Sequence, residues 1–319
     1  MKPTCSIVIR AFNEEKHITR LLDGIRHQSI QDVQVILVDS GSSDRTIEIA
    51  TEFGVQIVNI QPQDFTFGRS LNLGISHAIA DFVVIASAHI YPVYPDWLER
   101  LLEPFEDEKV AISYGKQRGM ETTQFSEHRI FEHWFPDSST HNQDHPFCNN
   151  ASAAIRKKIW EQNAYNETLP GLEDLAWARW AHEQGYRIAY VAEAEIIHVH
   201  NESWRGISNR YRREGMAFKL IYPQEQFGIF DLLSAFFSNV KNDLKIARRD
   251  KIIKKVWKRV LGFRWNQFFG TYLGYRQSGP LTWQLKQTFY YPRNGHQIKK
   301  IEREIKPIHY QELTGKDER

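Results

Sequence analysis

Acidic and amide side chains directly follow two short apolar runs near the start of the chain. Cys5–Ile9 leads to Asn13 and Glu14, and Val35–Val38 leads to Asp39. Such runs are typical of strands buried on both faces of a parallel sheet, and ligands of open α/β sheets bind beside the carboxyl ends of the strands. Carboxylates at that edge accept hydrogen bonds from a base or a ribose, or hold a metal ion that carries phosphates. The sequence therefore predicts a polar ligand site there.

Glycine-rich phosphate loops are absent from the sequence. No Gly-x-Gly-x-x-Gly follows the first apolar run, and no Gly-Lys-Ser or Gly-Lys-Thr occurs in the chain. A dinucleotide site or a P-loop needs those glycines because the backbone must approach the phosphates closely. The expected site therefore belongs to neither of these classes.

Strands and helices alternate up to about residue 115, which predicts a three-layer α/β sandwich. Expected helices cover Glu14–Gln28, Asp44–Phe53, Arg69–Ile79 and Pro95–Phe105, and expected strands cover Val55–Ile60, Asp81–Ala86 and Val110–Tyr114. The polar and aromatic segment 117–144 has no clear period, so we interpret it as a functional loop. From residue 227 an amphipathic helical stripe, Ile229 to Ala247, precedes a basic and aromatic run.

The order and spacing of the motifs resemble those of the inverting family-2 glycosyltransferases, which have a GT-A fold. The resemblance rests on Asn13-Glu14, Asp39, Gly41-Ser42 and Asp44-Arg45-Thr46, and it extends over residues 4–215, although Ser40 stands where the family often has a second Asp. It implies a GT-A catalytic domain, assigned to residues 1–220, followed by a C-terminal helical region at residues 221–319. It also implies that the substrate is a nucleotide-diphosphate sugar carrying UDP, dTDP or GDP.

Donor binding is implied for residues at several of the matching positions. Asp39, together with Glu14 and Arg69, is expected to hold the nucleoside, and Asn150 is expected to bind sugar hydroxyls. Arg205 begins an arginine-rich segment that is expected to close over a diphosphate. The donor-binding set is Arg10, Asn13, Glu14, Asp39, Ser42, Arg69, Asn72, His89, Asn150 and Arg205.

The metal position departs from the family pattern. Ser87-Ala88-His89 replaces the usual Asp-x-Asp, so His89 takes the place of the metal-binding Asp. His198 and His200 share one face if this segment is a strand, and some family members complete the metal site with a His here. Because imidazole suits manganese and later transition metals better than magnesium, we expect Mn²⁺ rather than Mg²⁺ on His89, His198 and His200. The alternative is that these histidines are structural.

The pair Glu173-Asp174 follows Pro170-Gly171 at the start of an expected helix. In the family such a pair supplies the catalytic base, usually its Asp, and the resemblance therefore implies Asp174 as the base with Glu173 beside it. Acids in a first helical turn also interact favourably with the helix dipole, which is the non-catalytic alternative.

Basic residues are concentrated late in the chain. Residues 241–264 hold ten Lys or Arg and two Asp, a local charge of +8 in a chain whose net charge is +2. Trp257, Phe263 and Trp265 are interleaved with them. Such a segment suits an anionic membrane surface, or it packs on the catalytic domain and leaves its charges solvated. Because no recognised nucleic-acid-binding motif accompanies the run, nucleic acid is not an expected partner.

Composition and the chain start favour a cytoplasmic enzyme. Cys5 and Cys148 give no disulfide framework, no signal sequence precedes the first strand, and no apolar run reaches the roughly 18 residues of a membrane span. We expect an inverting glycosyltransferase that acts on a glycan or lipid-linked acceptor in surface polysaccharide synthesis, with peripheral association on the inner face of the membrane. The alternative is a catalytically inactive relative that binds nucleotides or glycans.

Overall fold

The computed structural model describes residues 2–121, 123–200 and 202–277, with Lys306 and Ile308. The strands are β1 (Cys5–Ala11), β2 (Val33–Asp39), β3 (Gln56–Asn59), β4 (Phe82–Ser87), β5 (Ile90–Pro92), β6 (Val110–Arg118), β7 (Ser152–Arg156) and β8 (Arg187–His198). The helices are α1 (Ile18–Arg26), α2 (Thr46–Glu52), α3 (Phe67–Ser76), α4 (Trp97–Leu102), α5 (Phe125–Trp134), α6 (Lys157–Trp160), α7 (Glu173–Glu183), α8 (Trp204–Ile221), α9 (Ile229–Arg249) and α10 (Ile253–Arg276). The C-terminal region assigned to residues 221–319 is thus described continuously only to Gln277.

The eight strands form one mixed sheet in the order β3-β2-β1-β4-β7-β6-β8-β5. β1, β2, β3 and β4 pair in parallel, whereas β7 runs antiparallel to both of its neighbours and β5 runs antiparallel to β8. The carboxyl ends of β1 and β2 therefore meet at one edge of the sheet, as predicted. The amino end of β7 reaches the same edge because β7 is reversed.

Two apolar clusters cover the two faces of the sheet and confirm the predicted three-layer sandwich. Along β1, Ile7 and Ile9 contribute to one cluster and Val8 contributes to the other, because successive side chains of a strand point to opposite faces. Helices α1 and α4 cover the first face, and α3 and α7 cover the second. Both layers hold the strand ends at fixed positions.

The segment 117–144, interpreted from the sequence as a loop, contains the helix α5. Its buried residues include Ser126 and Glu127 as well as Phe131. The side chain of Ser126 donates to Asp243 of α9 over 2.6 Å, and Arg264 of α10 donates to the same carboxylate over 2.8 and 3.0 Å. The buried Asp243–Arg264 ion pair therefore joins α9 to α10, and the hydroxyl of Ser126 links α5 to that pair.

Helix α10 lies close along α8. Gly270 and Gly274 face backbone atoms of Ser208 and Arg212, where any side chain would collide with the opposite helix. The outward sides of α9 and α10 remain exposed, with Phe230 at 84% and Phe237 at 64% accessibility. No helix within the described ranges is long and apolar enough to cross a membrane.

Candidate active site

A cavity of about 1300 Å³ opens beside the carboxyl ends of the parallel strands. Its walls come from the ends of β1 and β4, the residues before β7, the first turn of α7, and one side each of α5, α8, α9 and α10. The predicted residues that line it are Arg10, Asn13, Glu14, His89, Asn150, Glu173, Asp174, His198 and His200. One cavity therefore holds the predicted catalytic pair and all three predicted metal ligands.

The turn after β2 is held against the turn after β1. One carboxylate oxygen of Asp39 accepts hydrogen bonds from the backbone of Gly41 and Ser42 over 2.8 and 3.0 Å. The hydroxyl of Ser42 accepts from the backbone of Asn13, a residue with a φ of 52°. The second oxygen of Asp39 is buried without a hydrogen-bond partner. This turn therefore carries a fixed acceptor that a ligand can satisfy.

The three histidines cluster at the ends of β4 and β8. The rings of His89 and His198 stack with centroids 5.2 Å apart, and those of His198 and His200 are 4.1 Å apart. One ring nitrogen from each histidine lies within 4.8 Å of the others. Burial, followed by the charges of His200, His89 and Arg210, lowers the pKa of His198 well below its ordinary value. A neutral imidazole is the form that binds a metal.

Each histidine is oriented through its Nδ1 atom. The acceptors are Oε1 of Glu14 for His89 at 3.1 Å, Oε1 of Gln117 for His198 at 2.8 Å, and Oε1 of Glu127 for His200 at 2.7 Å. Since these acceptors are carboxylate or amide oxygens, Nδ1 carries the proton in each ring and Nε2 is the nitrogen suited to a metal. Glu14, predicted to bind the nucleoside, thus has its carboxylate directed at His89.

Glu127 lies at the centre of a buried charge cluster. Arg210 donates to Glu127 over 2.5 Å and approaches Glu202 within 2.6 Å. Although burial alone would raise it, the charges of Arg210 and His200 bring the pKa of Glu127 down to about 2. The guanidinium therefore neutralises these carboxylates within the protein, and Glu127 remains an ionised acceptor for His200.

The two acids at the start of α7 have different partners. Arg10 donates to Glu173 over 2.9 Å, and both side chains are largely buried. Asp174 accepts from the backbone of Asn150 at 3.0 Å and of Leu175 at 2.9 Å. Burial and the neighbouring charge of Glu173 raise the pKa of Asp174 to about 7. Asp174 is consequently a carboxylate that can accept and release a proton near neutral pH.

Asn150 sits beside this pair with an unused donor. The residue is 2% exposed, and its side-chain nitrogen has no hydrogen-bond partner. Its side-chain oxygen accepts only a long bond of 3.4 Å from Tyr165. An amide donor buried in this way suits a ligand oxygen in the cavity.

Five predicted donor-binding residues are not among those that line this cavity, namely Asp39, Ser42, Arg69, Asn72 and Arg205. Arg69 and Asn72 line a separate depression of about 450 Å³. Asn72 is committed to structural bonds with the backbone of Tyr165 and the indole of Trp160. Arg205 is exposed in the first turn of α8 and is not among the residues lining the large cavity. The resemblance implied donor binding for Arg69, Asn72 and Arg205, but the structure does not bring them into the large cavity.

Sequence reasoning missed several residues of the cavity. These are Gln117 and Glu127, which orient histidines, and Trp134 and Phe67. The ring of Phe67 lies between Arg10 and Arg213, whose guanidinium carbons are 4.7 and 4.8 Å from its centroid. No local motif marks these residues, because their partners are distant in sequence.

Comparison with known proteins identifies related sequences. Residues 6–163 match the family model described as Glycosyl transferase family 2. The O-antigen chain rhamnosyltransferase RfbN of Salmonella typhimurium is 27% identical over 237 residues, covering 70% of this chain and 75% of the relative. The O-antigen chain rhamnosyltransferase WbaN of Salmonella anatum is 29% identical, covering 71% of this chain and 74% of the relative.

Solved structures share the fold at low sequence identity. The mannosyltransferase PcManGT from Pyrobaculum calidifontis, solved with GDP-Man and Mn²⁺, has a TM-score of 0.59 at 14% identity and covers 85% of this chain and 86% of its own. Glucosyl-3-phosphoglycerate synthase from Mycobacterium tuberculosis, solved with Mn²⁺, UDP and glucosyl-3-phosphoglycerate, has a TM-score of 0.54 at 19% identity and covers 71% of this chain and 82% of its own. These similarities confirm the predicted GT-A fold.

Proposed function

Because this chain belongs to glycosyl transferase family 2 through residues 6–163, we propose that it is an inverting transferase in bacterial surface polysaccharide synthesis. The sugar moves from a nucleotide-diphosphate donor to a hydroxyl of a glycan or lipid-linked acceptor. The observation that carries the proposal is the position of Asp174, a buried acid whose pKa is raised to about 7, in the same cavity as the strand ends and the histidine cluster. The O-antigen relatives support the polysaccharide class.

Asp174 acts as the general base in this proposal. It removes the proton from the acceptor hydroxyl while that oxygen attacks the anomeric carbon from the face opposite the leaving diphosphate. Glu173 accepts a hydrogen bond from Arg10 and contributes its charge to the environment of Asp174. A single displacement of this kind inverts the anomeric configuration.

The donor lies along the edge formed by β1, β2 and β7. Asp39 offers its unpartnered oxygen to a hydroxyl or N–H of the nucleoside, and Asn150 offers its unpartnered amide nitrogen to a sugar oxygen. Each bond satisfies a polar atom that is otherwise buried without a partner, which favours binding. UDP, dTDP and GDP all present suitable groups, and the relatives make rhamnose the first sugar to examine.

His89, His198 and His200 would hold a divalent metal. One ring nitrogen from each histidine lies within 4.8 Å of the others, and the Nδ1 atoms are engaged by protein oxygens, so the residues present fit a metal. Such an ion would neutralise charge on the leaving diphosphate. With only imidazole ligands among these three, Mn²⁺ is favoured over Mg²⁺.

The protein works in the cytoplasm and associates peripherally with the inner face of the membrane in this proposal. The exposed aromatic and basic side of α9 and α10 supports that placement, because such surfaces bind anionic lipid interfaces. We do not propose nucleic acid as a partner.

Donor turnover by the purified protein tests the proposal. UDP-, dTDP- and GDP-sugars, with rhamnose among the sugars, are screened by thermal shift with Mn²⁺, with Mg²⁺ and with chelator, since a bound donor stabilises the fold. Those that bind are then followed for release of the nucleotide diphosphate. Binding without any hydrolysis or transfer would instead favour the catalytically inactive alternative.

A further inference from the structure

An aromatic stack forms one wall of the cavity. Trp134, the last residue of α5, stacks on Phe147 with ring centroids 4.4 Å apart and planes inclined by 22°. Phe147 is supported in turn by Tyr114 and Phe135, at 5.7 and 5.9 Å. Trp134 is nevertheless 43% exposed while it lines the cavity. One face of the indole is therefore fixed on a rigid support, and the rest is available to a ligand.

The stack lies beyond Asp174 as seen from the nucleotide end of the cavity. Asp39 ends β2 and Asn13 follows β1, and Asp174 bonds to Asn150, which precedes β7. Tyr114, which supports Phe147, belongs to β6, the next strand after β7 in the sheet. Along this edge of the sheet, the turn that carries Asp39 comes first, the proposed base Asp174 comes next, and the stack of Trp134 on Phe147 comes last. A base that deprotonates the acceptor must have the donor on one side and the acceptor on the other.

The chemistry of the wall suits a saccharide. One face of a pyranose ring carries axial C–H bonds, whose positive hydrogens are attracted to the electron-rich face of an indole, while the hydroxyls project outward to polar partners. A large aromatic side chain that stays exposed inside a cavity with a few converging polar groups is typical of a ligand site. The polar groups here are Asn149, Asn150 and His133, all of which line the same cavity.

We propose that Trp134, supported by Phe147, is the acceptor-saccharide subsite, on which a pyranose ring stacks with one hydroxyl directed toward Asp174. This rests on the proposed function, because it assigns the acceptor of that reaction to a sugar unit of a glycan. A nucleobase is the competing aromatic-stacking ligand, but the turn that carries Asp39 lies on the opposite side of Asp174.

Saturation-transfer NMR tests the subsite without a known acceptor. The probes are the methyl glycosides of rhamnose, mannose and galactose, each added to the full chain, with UDP and dTDP examined separately. We expect saturation of ring C–H protons on one face of at least one glycoside. Trp134→Ala should weaken this signal roughly tenfold, and Trp134→Phe should retain most of it. Trp257→Ala is the matched control, since Trp257 is also 43% exposed but lies on α10 outside the cavity lining.

Trp134→Leu guards against a folding defect, because it keeps apolar packing on Phe147 and removes the indole face. Binding of UDP or dTDP by calorimetry should be unchanged in each Trp134 variant, which also confirms that the variants are folded. A glycoside signal unaffected in Trp134→Ala and Trp134→Leu, or no glycoside signal in the unmodified protein, would overturn the subsite while leaving donor binding intact. Loss of nucleotide binding together with an unchanged glycoside signal would assign the stack to the nucleobase instead. Failure of the unmodified protein to bind any nucleotide donor would count against the proposed function itself.

Discussion

Two adjacent acids at the start of α7, Glu173 and Asp174, differ in their hydrogen-bond partners. Glu173 is paired with Arg10 at 2.9 Å, whereas Asp174 receives only backbone N–H groups. The guanidinium of Arg10 occupies a carboxylate oxygen of Glu173, which leaves that oxygen less available to an acceptor hydroxyl. Burial disfavours the charged form of Asp174 and the charge of Glu173 repels it, so the pKa of Asp174 is raised to about 7. The geometry therefore separates the two acids that the sequence presents together.

Asp174→Asn should preserve donor binding and lower transfer roughly 10²–10⁴-fold, as expected when a general base is removed. In the unmodified protein the base is active when deprotonated, so kcat/KM should rise with pH through about 7. Initial rates of nucleotide release in the presence of acceptor, measured across pH, provide the profile.

Glu173→Gln is the matched control for this prediction. Removing the negative charge beside Asp174 should lower the pKa of Asp174 and move the rising limb of the profile to lower pH. If Glu173→Gln abolishes transfer while Asp174→Asn retains it with the same profile, Glu173 is the base and the assignment is wrong.

Asp39 provides a second prediction at the scale of single residues. Asp39→Asn keeps the shape of the turn but removes the charge behind the unpartnered oxygen. The loss of one charge-assisted hydrogen bond, about 1.5–3 kcal/mol, should weaken nucleoside diphosphate binding by roughly one to two orders of magnitude. Calorimetry with UDP, dTDP and GDP measures the dissociation constants.

Asp44→Asn is the control for Asp39→Asn. Asp44 lies five residues further on and accepts a hydrogen bond from the backbone of Thr46, the first residue of α2, at 3.0 Å. The Asp44→Asn substitution should leave the affinity for nucleoside diphosphates unchanged. Equal affinities for the Asp39→Asn variant and the unmodified protein would remove Asp39 from the donor site.

At the scale of elements, α5 supplies the residues that orient one predicted ligand. Glu127 joins His200 to Arg210, and the preceding Ser126 bonds to Asp243. An outer partner that fixes the tautomer of a ligating histidine typically changes metal affinity 10–100-fold when it is removed. The helix is therefore expected to set the strength of the metal site without contacting the metal.

Glu127→Gln should thus weaken Mn²⁺ binding roughly 10–100-fold, because the amide is a weaker acceptor for the Nδ1–H of His200. Electron paramagnetic resonance of free Mn²⁺ gives the dissociation constant independently of turnover. Glu132→Gln is the matched control on the same helix, where Glu132 is half-exposed and paired with Arg129. A Glu127→Gln variant that binds Mn²⁺ as tightly as the unmodified protein would show that the cluster around Glu127 is only structural.

The sequence predicted the elements whose pattern is local. The strands before Asn13 and Asp39, the helix of Glu173 and the amphipathic α9 were all expected, because apolar runs and a 3.6-residue period are visible within each segment. Helix α1 is shorter than predicted, since its first regular turn begins at Ile18 rather than Glu14. Glu14 instead belongs to the turn, where its backbone donates to Thr46 and its carboxylate reaches His89.

Helix α5 could not be predicted, because part of its buried face is polar. Ser126 and Glu127 are buried where an amphipathic helix would carry apolar residues, and their partners are 73 to 138 residues away in the chain. The same reasoning explains the missed role of Gln117, whose partner His198 is 81 residues distant. Long-range polar pairs leave no periodic signal in a single sequence.

At the scale of the whole molecule, α9 and α10 have two different sides. Their inner side closes the cavity through Asn239, Asp243 and Arg264. On α9, Phe230 and Phe237 precede Asn239 by nine and two residues, which places them on roughly the opposite side of a helix with about 3.6 residues per turn. The helices that complete the active-site cavity therefore present exposed aromatic side chains outward.

Basic residues accompany these aromatics on the outer side. Trp265 is 45% exposed and stacks on Phe269, and Trp257 is 43% exposed beside Lys258. The exposed basic residues of this region are Lys241, Lys245, Arg248, Arg249, Lys251, Lys254, Lys255, Lys258 and Arg259. Aromatic side chains enter the lipid headgroup boundary and Lys or Arg side chains meet anionic lipids, which together give a reversible surface anchor.

We expect the full chain to sediment with vesicles that contain phosphatidylglycerol and to bind much less to pure phosphatidylcholine. Replacing both Phe230 and Phe237 with Ser should reduce partitioning about tenfold or more, because two exposed aromatic side chains no longer enter the interface. Ile79→Ser is the control, since Ile79 is 56% exposed but lies between α3 and β4 at the opposite edge of the sheet. Raising salt should weaken binding of every variant by screening the basic residues.

Full binding by the double variant would assign the attraction to charge alone, and failure of the unmodified protein to bind at low salt would leave the outer side of α9 and α10 as a solvated surface. In either case the buried Asp243–Arg264 pair should keep the cavity wall in place, so nucleotide binding by the double variant should equal that of the unmodified protein.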